Sequence, residues 1–373
     1  MPMNPISLAS GASYFRSPAP ATAAAIAGLK EGNTTYGPTE GTPALRQAIC
    51  DFYNNGGLHV KPEQVLVTPG SKQALFNLFT TLLCQGDEVV VPTPAWFGFQ
   101  ELMKYSKGMV VPLETKLSEG YALKPEALRK TLNDRSRILL LTNPGNPTGR
   151  IYTQSELEAL LEVTNDFPNL YILSDEIYDR VAYDGPFTSL LSCKGAKEER
   201  SILINGFSKS FAMSGWRLGY MLGPEEIISK CVDFQGSTLA GVSVFLQKAA
   251  LAALEQEPEV LPPMLEVLAQ NRRVMQQGLD AIPEVKYYLP DGAYYFFPVF
   301  SFYLNRRTPS GDTLTTSVDL CRYLLERYHL ELAPGDKFGA PGHARLSFAI
   351  ETPKLQEALQ RLKQALELLI VDC

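Results

Sequence analysis

Between residues 65 and 222, short apolar runs rich in β-branched residues alternate with segments of helical periodicity. The runs are VLVT, EVVVP, RILLLTNP, YILSDE, SILINGF and RLGYMLG, and SKQALFNLFTTLL and TQSELEALLEVTND are two of the helical segments. This alternation is typical of βαβ units, which form a largely parallel sheet with helices on both faces. After about residue 262 the sequence changes to long helical segments around DGAYYFFPVF and ARLSFAI. The sequence therefore predicts an α/β fold with a large domain over 30–262 and a smaller α+β domain from 1–29 and 263–373.

Composition excludes several classes of function. The net charge is −6 and no stretch is dense in Lys and Arg, which makes nucleic acid a poor candidate partner. No apolar run approaches the roughly 18 residues of a membrane span, so we expect no membrane insertion. The six cysteines (50, 84, 193, 231, 321 and 373) contain no CxxC pair, and only three histidines accompany them, so we expect neither a metal site nor a disulfide framework. Since no secretory signal is visible, a cytoplasmic location is expected.

Three of the predicted strands end in polar clusters, LLLTNPGNPTG, YILSDEIYDR and SILINGFSKS. In open α/β sheets, ligands bind at the carboxyl ends of the strands. The third cluster places Lys209 in a run otherwise rich in apolar residues, NGFSKSFAMSGWRLGY, with Arg217 eight positions later. A lysine in apolar surroundings loses hydration of its charged form, which favours the neutral, nucleophilic amine. Taken singly, a lysine is more often a solvated surface group and an arginine a salt-bridge partner.

The segment TPGSKQAL, residues 68–75, reads as a strand end, a glycine and a helix start. Such a junction presents free backbone N–H groups and the positive end of a helix dipole, which suits a phosphate. Lys72 lies in the first helical turn, where that dipole mildly disfavours a cation. We therefore expect either solvent or an anionic partner beside Lys72.

Three further segments carry candidate side chains with structural alternatives. Asn146 lies in NPGNPTG, whose residues also suit a tight loop. Asp175 ends an apolar strand in SDEIYDR, where a carboxylate could cap a helix or hold a proton on a ring nitrogen. Arg345 shares a strand face with Ser347 and Ala349, which leaves room for it to bind a carboxylate in a two-pronged geometry.

Taken together and in this order, these segments resemble the class I aminotransferases, the aspartate aminotransferase family of pyridoxal-phosphate (PLP) enzymes. The resemblance runs from YGPTEGTPALRQAI to PGDKFGAPGHARLSFA. It implies the PLP-dependent transferase fold, with a mostly parallel seven-stranded sheet covered by helices and a smaller α+β domain. It also implies a ping-pong reaction in which an amino acid gives its amino group to the cofactor and a 2-oxo acid then receives it.

The resemblance assigns roles around the cofactor ring. Lys209 is implied as the catalytic residue that forms the covalent link with the PLP aldehyde, and Asp175 as the partner of the ring nitrogen. Tyr178 and Asn146 are implied to hydrogen-bond the phenolic oxygen of the ring. Trp96, in PTPAWFGF, is implied to cover the ring face.

The phosphate of the cofactor has its own implied partners. They are Arg217, Ser208, the backbone of Gly70, and the backbone and hydroxyl of Ser71. Tyr36, in TTYGPTEG, matches a residue that in this family reaches the phosphate of the neighbouring subunit. The resemblance therefore implies a homodimer with active sites at the interface.

The substrate has implied partners as well. Arg345 would bind the α-carboxylate, with the Gly11 backbone nearby, while Trp96 and Asn146 would contact both cofactor and substrate. A lysine at the position of Lys72, beside the phosphate-binding turn, reads the distal carboxylate of acidic substrates in prokaryotic-type aspartate aminotransferases. We therefore expect aspartate or glutamate to react with 2-oxoglutarate, although Lys72 could instead point to solvent.

Other readings remain open on the same residues. The substrates could be aromatic or aliphatic amino acids, and a PLP-dependent carbon–sulfur lyase would use the same lysine, aspartate and arginines. The chain also departs from the family pattern in two places: it begins almost at ISLASG, where relatives carry a longer N-terminal arm, and it has GASYF where relatives often have GEPDF. We expect these departures to alter the dimer contacts, the lid and the loop that faces the substrate.

Overall fold

The computed structural model describes residues 4–370. Residues 1–3 and 371–373 lie outside the described residues, and with them Cys373 and the outer ends of the two segments predicted to form the small domain.

The strands are β1 (Ile6–Ser7), β2 (Val65–Thr68), β3 (Glu88–Thr93), β4 (Met109–Glu114), β5 (Ser136–Thr142), β6 (Tyr171–Asp175), β7 (Ser201–Gly206), β8 (Gly219–Leu222), β9 (Tyr295–Phe296), β10 (Arg306–Arg307), β11 (Thr313–Leu314), β12 (Leu330–Glu331), β13 (Ala333–Pro334) and β14 (Ala344–Ser347). The helices are α1 (Ala19–Lys30), α2 (Pro43–Asn55), α3 (Ser71–Leu82), α4 (Gly98–Met103), α5 (Pro125–Thr131), α6 (Gln154–Thr164), α7 (Glu225–Thr238), α8 (Val244–Glu255), α9 (Glu257–Val260), α10 (Pro262–Asp280), α11 (Ser317–Tyr328) and α12 (Thr352–Glu367).

A seven-stranded sheet of order β2-β8-β7-β6-β5-β3-β4 forms the centre of the fold. Neighbouring strands are parallel except at β8, which runs antiparallel to both β2 and β7. The predicted α/β fold with a mostly parallel seven-stranded sheet is confirmed. The sequence missed β4, an edge strand whose run MVVPLE is largely exposed, and it did not predict the direction of β8.

Helices cover both faces of this sheet because side chains of a strand alternate between its faces. In β5, Ile138 and Leu140 pack with residues of α3 and α7, whereas Leu139 and Leu141 pack on the opposite face with residues of α5 and α6. A strand that is apolar on both faces is stable only between two layers of helices. The run RILLLT therefore requires a layer of helices on each face of the sheet at β5.

Two helices show how the sequence sets a helix start and a buried helix face. Thr153 caps α6: its hydroxyl accepts from Glu156 N at 3.3 Å, and its own N–H donates to Glu156 Oε2 at 2.9 Å, which is a capping box. The C-terminal helix α12 buries Leu355, Leu359 and Leu362 and packs against α10.

The N-terminal strand joins the C-terminal part of the chain. β1 pairs in parallel with β12, and β9, β13 and β14 form a separate antiparallel sheet of order β13-β14-β9. α1 packs instead against α8, which follows the central sheet in sequence. The boundaries of the two domains, at residues 30 and 262, stay a prediction.

None of the helices within residues 4–370 combines the length and apolarity needed to cross a bilayer. Over the same residues, no group of three or more His, Cys, Asp or Glu side chains is arranged to hold a metal ion.

Candidate active site

The carboxyl ends of β5, β6 and β7 open into a cleft of about 730 Å³. This is the edge of an open α/β sheet at which ligands bind. Most of the predicted site residues line this cleft. They are Gly11, Ser71, Lys72, Trp96, Asn146, Asp175, Tyr178, Ser208, Lys209, Arg217 and Arg345. Gly70 lies against Arg217 at the start of α3, and Tyr36 lies on the surface with 92% of its area exposed.

Lys209 follows the end of β7 and is half-buried in the cleft. Its amine donates to the carbonyl of Gly11 at 2.5 Å and lies 5.9 Å from the centre of the Tyr178 ring. The N-terminal segment, far away in sequence, is thus brought to the lysine. An amine placed over an aromatic ring and held by one carbonyl is accessible to a bound electrophile.

Asp175 is the last residue of β6 and is 6% exposed. Burial raises the pKa of this carboxyl to about 7, against the smaller effects of a hydrogen bond from Ile177 N and of the Lys209 charge, which favour the ionised form. A buried carboxyl of this kind gains from a cationic or hydrogen-bond-donating partner in the cleft.

Glu176, the next residue, has a different environment and does not line the cleft. It is fully buried, and its Oε1 accepts from Ser174 Oγ at 2.8 Å, Leu190 N at 3.0 Å and Ser189 Oγ at 3.1 Å. Burial raises the pKa of Glu176 to about 8 although these hydrogen bonds favour the ionised form. Of the two adjacent carboxyls, only Asp175 can therefore meet a ligand in this cleft.

The pKa of Glu176 gives a prediction for stability. Because the pKa of this carboxyl is about 8 in the folded protein and about 4.3 when unfolded, the folded state binds more protons between these values, and stability falls as pH rises through them. The Glu176→Gln variant should therefore gain roughly 3 kcal/mol of unfolding free energy relative to wild type between pH 5 and pH 8, measured by urea titration. The Glu176→Ala variant should have a lower unfolding free energy than the Gln variant, but its unfolding free energy should depend on pH in the same way. A constant difference between wild type and both variants would contradict the assignment.

The start of α3 meets Arg217. A Cβ on Gly70, whose φ is +85°, would lie 2.3 Å from Arg217 Nη2, and a Cβ on Gly219 would lie 2.4 Å from Ser71 N. Both glycines are thus needed for the guanidinium and the helix start to approach so closely. Arg217 itself adopts φ +57° and donates to Ser214 O at 2.7 Å. An arginine beside the free N–H groups of a helix start forms a site for an anion such as phosphate.

Arg345, on β14, is 5% exposed and reaches across the cleft. Its Nη1 donates to Asn146 Oδ1 at 2.9 Å and its Nη2 to Ala9 O at 2.6 Å, while its Nε has no partner among the described residues. These contacts hold the guanidinium in place and leave donor capacity for a ligand carboxylate.

Lys72 and Trp96 form the other wall. The Lys72 amine lies 5.2 Å from the centre of the Trp96 ring, and within residues 4–370 it has no carboxylate partner. The anion expected beside Lys72 is therefore not supplied by the described part of this chain.

Sequence reasoning missed one residue that lies at the centre of the cleft. Tyr295 lines it, and its hydroxyl is 2.7 Å from the Tyr178 hydroxyl. In the sequence, DGAYYFFPVF only marks the change of pattern after about residue 262, and a tyrosine within such a run gives no signal of its own.

Known proteins resemble this chain over almost its whole length. The sequence matches the family described as Aminotransferase class I and II over residues 4–362. A relative from Petunia hybrida, named bifunctional aspartate aminotransferase and glutamate/aspartate-prephenate aminotransferase, is 37% identical over 97% of this chain and 76% of its own length. The aspartate aminotransferase of Pinus pinaster is 36% identical over 98% of this chain and 75% of its own length.

Solved structures agree with these relatives. The crystal structure of the aspartate aminotransferase from Rhizobium meliloti has a TM-score of 0.94 at 33% identity, and the alignment covers 98% of this chain and 92% of that one. The Thermus thermophilus aspartate aminotransferase with maleate has a TM-score of 0.90 at 34% identity, covering 97% and 92%.

The fold and these relatives show that the protein is an enzyme that transfers amino groups between amino acids and 2-oxo acids. The chain belongs to the class I and II aminotransferases. Because this family depends on PLP, the protein is a PLP-dependent aminotransferase.

Proposed function

We propose that this aminotransferase uses aspartate or glutamate as amino donor and 2-oxoglutarate as acceptor, with PLP held in the cleft. The observation that carries the proposal is the convergence of Asp175, Lys209, Arg217 and Arg345 in one cleft from four separate segments. The homologous enzymes named aspartate aminotransferase support the choice of substrates.

The residues of the cleft fit PLP. Asp175 would hold the ring nitrogen, since burial raises the pKa of its carboxyl to about 7 and a protonated ring nitrogen would stabilise the ionised form. Lys209 would link to the aldehyde. Arg217, Ser71 and Ser208 would hold the phosphate, because the glycine-lined approach of Arg217 to the start of α3 makes a cradle for an anion.

Bound there, PLP supplies an electron sink for the bond between the substrate Cα and its hydrogen. The residues of this chain do the rest. Arg345 binds the α-carboxylate with the donors that remain after its bonds to Asn146 and Ala9. The Lys209 amine would take the proton from the substrate Cα and deliver it to the carbon of the cofactor, and it would move a proton in the opposite direction in the second half-reaction. Trp96 covers one side of the cleft and limits access of water.

Lys72 supports an acidic substrate. Lys72 lines the same cleft as Arg345 and lacks an anionic partner among the described residues. The distal carboxylate of aspartate or glutamate would therefore form an ion pair with the Lys72 amine. The Thermus thermophilus relative was solved with maleate, which is a dicarboxylate.

A second copy of the chain would complete the phosphate site. Tyr36 is 92% exposed on a loop that does not line the cleft of its own subunit. We propose that it reaches the phosphate of a partner subunit in a homodimer, where its exposed ring would be covered. The cytoplasmic location stays a prediction.

A panel of amino donors assayed with 2-oxoglutarate tests this function, with the Lys72→Ala variant as the discriminating measurement. Loss of a charge-assisted hydrogen bond should lower kcat/KM for aspartate and glutamate by about 10- to 100-fold, and for leucine and phenylalanine by less than about threefold. The Lys104→Ala variant is the matched control, because Lys104 is exposed and ion-paired with Glu101.

Equal losses for acidic and neutral donors would contradict the role of Lys72. Steady release of pyruvate and ammonia from cysteine, without any 2-oxo acid acceptor, would identify the protein as a carbon–sulfur lyase instead.

A further inference from the structure

Tyr295 contacts both the carboxylate-binding and the cofactor-binding sides of the cleft. It is fully buried on β9 and pairs in register with Ser347 of β14. Arg345 lies two residues before Ser347 and so on the same face of β14. The guanidinium carbon of Arg345 is 4.3 Å from the centre of the Tyr295 ring, within the range of a cation–π contact. The ring of Tyr295 thus forms a platform for the arginine.

The hydroxyl of Tyr295 points to a different residue. It is 2.7 Å from the hydroxyl of Tyr178, and the two rings meet edge to face with centroids 5.7 Å apart. Tyr178 is 1% exposed, and burial together with Tyr295 raises the pKa of Tyr178 well above its usual range, so Tyr178 keeps its proton. A single side chain therefore contacts the arginine through its ring and the tyrosine through its hydroxyl.

Only one hydrogen can lie between the two hydroxyl oxygens, and the surroundings decide which hydroxyl donates it. If Tyr178 directs its hydrogen to the phenolic oxygen of the cofactor, it can only accept from Tyr295. A second acceptor near Tyr295 is the Gly11 carbonyl, at 3.5 Å. That carbonyl already accepts from Tyr294 Oη at 2.9 Å. The Tyr178 hydroxyl oxygen, at 2.7 Å, is therefore the better acceptor for the Tyr295 hydrogen.

We propose that Tyr295 is a positioning residue that couples the two halves of the site: its ring holds Arg345 for the substrate carboxylate, and its hydroxyl donates to Tyr178 and strengthens the hydrogen bond that Tyr178 gives to the cofactor. This inference rests on the proposed cofactor site.

The proposal predicts the sign of a spectroscopic change. A hydroxyl that accepts one hydrogen bond becomes a better donor in the next. A strong hydrogen bond from Tyr178 stabilises the negative charge on the phenolic oxygen. The stabilised oxygen attracts the proton on the nitrogen that links Lys209 to the cofactor less strongly, so the pKa of that nitrogen falls. Removing the Tyr295 hydroxyl should therefore raise the pH midpoint at which this nitrogen loses its proton.

The experiment compares two variants of the PLP-loaded enzyme with a control. Tyr295→Phe keeps the ring beneath Arg345 and removes the hydroxyl, whereas Tyr295→Leu removes both. The control is Tyr183→Phe, because Tyr183 donates to Ala293 O at 2.6 Å and its ring carries Arg272, away from the cleft. The visible absorbance is titrated with pH, and the dissociation constant of succinate is measured from the change it causes in that absorbance.

Tyr295→Phe should raise the midpoint by about 0.5 to 1 pH unit and change succinate affinity by less than about twofold. Tyr295→Leu should raise the midpoint similarly and weaken succinate binding about tenfold, since the platform for Arg345 is lost. Tyr183→Phe should leave both values unchanged.

Any other result would contradict one identified part of the proposal. A Tyr295→Phe midpoint equal to that of wild type would refute the role of the hydroxyl, and equal succinate affinity in the Phe and Leu variants would refute the role of the ring. If the wild-type protein takes up no PLP and shows no visible absorbance, the proposed cofactor site fails first, and this inference fails with it.

Discussion

Replacing Lys209 with alanine should abolish the visible absorbance that its covalent link to PLP produces and lower turnover by at least about 10⁴-fold. Two proposed functions would be lost together, because the amine would form the link and also move the proton at the substrate Cα. The other two lysines that line the cleft do not take this position: the Lys72 amine lies over the Trp96 ring, and Lys337 is exposed in the segment Gly335–Phe338. The measurements are the absorbance spectrum of the purified protein and the rate with aspartate and 2-oxoglutarate.

The Lys209→Arg variant separates charge from nucleophilicity. A guanidinium keeps a positive charge near Asp175 but cannot form the covalent link. It should therefore bind PLP without the shifted absorbance and be as inactive as the alanine variant. Turnover near the wild-type rate in either variant would end the assignment of Lys209.

The fold could be predicted from sequence wherever burial dictated residue type. Strands β5 and β7 are apolar on both faces because helices cover both, and such runs are visible without coordinates. β4 was missed because it lies at the edge of the sheet, where only Leu113 of the strand is buried and Pro112 is tolerated. The direction of β8 was not predicted because an apolar run has the same composition in either orientation.

The site could be predicted only in part, for a similar reason. Asp175 ends the apolar strand β6 and Lys209 lies a few residues after the end of β7, so the strands next to them in the sequence indicate that both lie at the ligand-binding edge of the sheet. Tyr295 has no such neighbours: the residues that give it a role are Tyr178, 117 positions earlier, and Arg345, and only folding brings them together. The contact between Lys209 and the Gly11 carbonyl likewise spans 198 positions.

Replacing Asp175 with asparagine should lower turnover by about 10²- to 10³-fold while leaving the protein folded. Asparagine has nearly the same shape but no negative charge, so it cannot keep the cofactor's ring nitrogen protonated, and the electron sink weakens. The loss should fall mainly on kcat, because Arg217 and Arg345, the proposed partners of the phosphate and of the substrate carboxylate, are untouched.

The adjacent residue supplies a matched control for this charge. Glu176→Gln makes the same change from carboxyl to amide one residue later, at a side chain that is also buried but does not line the cleft. Since burial raises the pKa of Glu176 to about 8, this carboxyl is largely protonated at pH 7, and its replacement should change turnover there by less than about threefold. Equal losses in the two variants would mean that burial of a carboxyl at the end of β6, rather than contact with the cofactor, is what activity requires. A large loss in Asp175→Asn alone would assign the effect to the charge that faces the cleft.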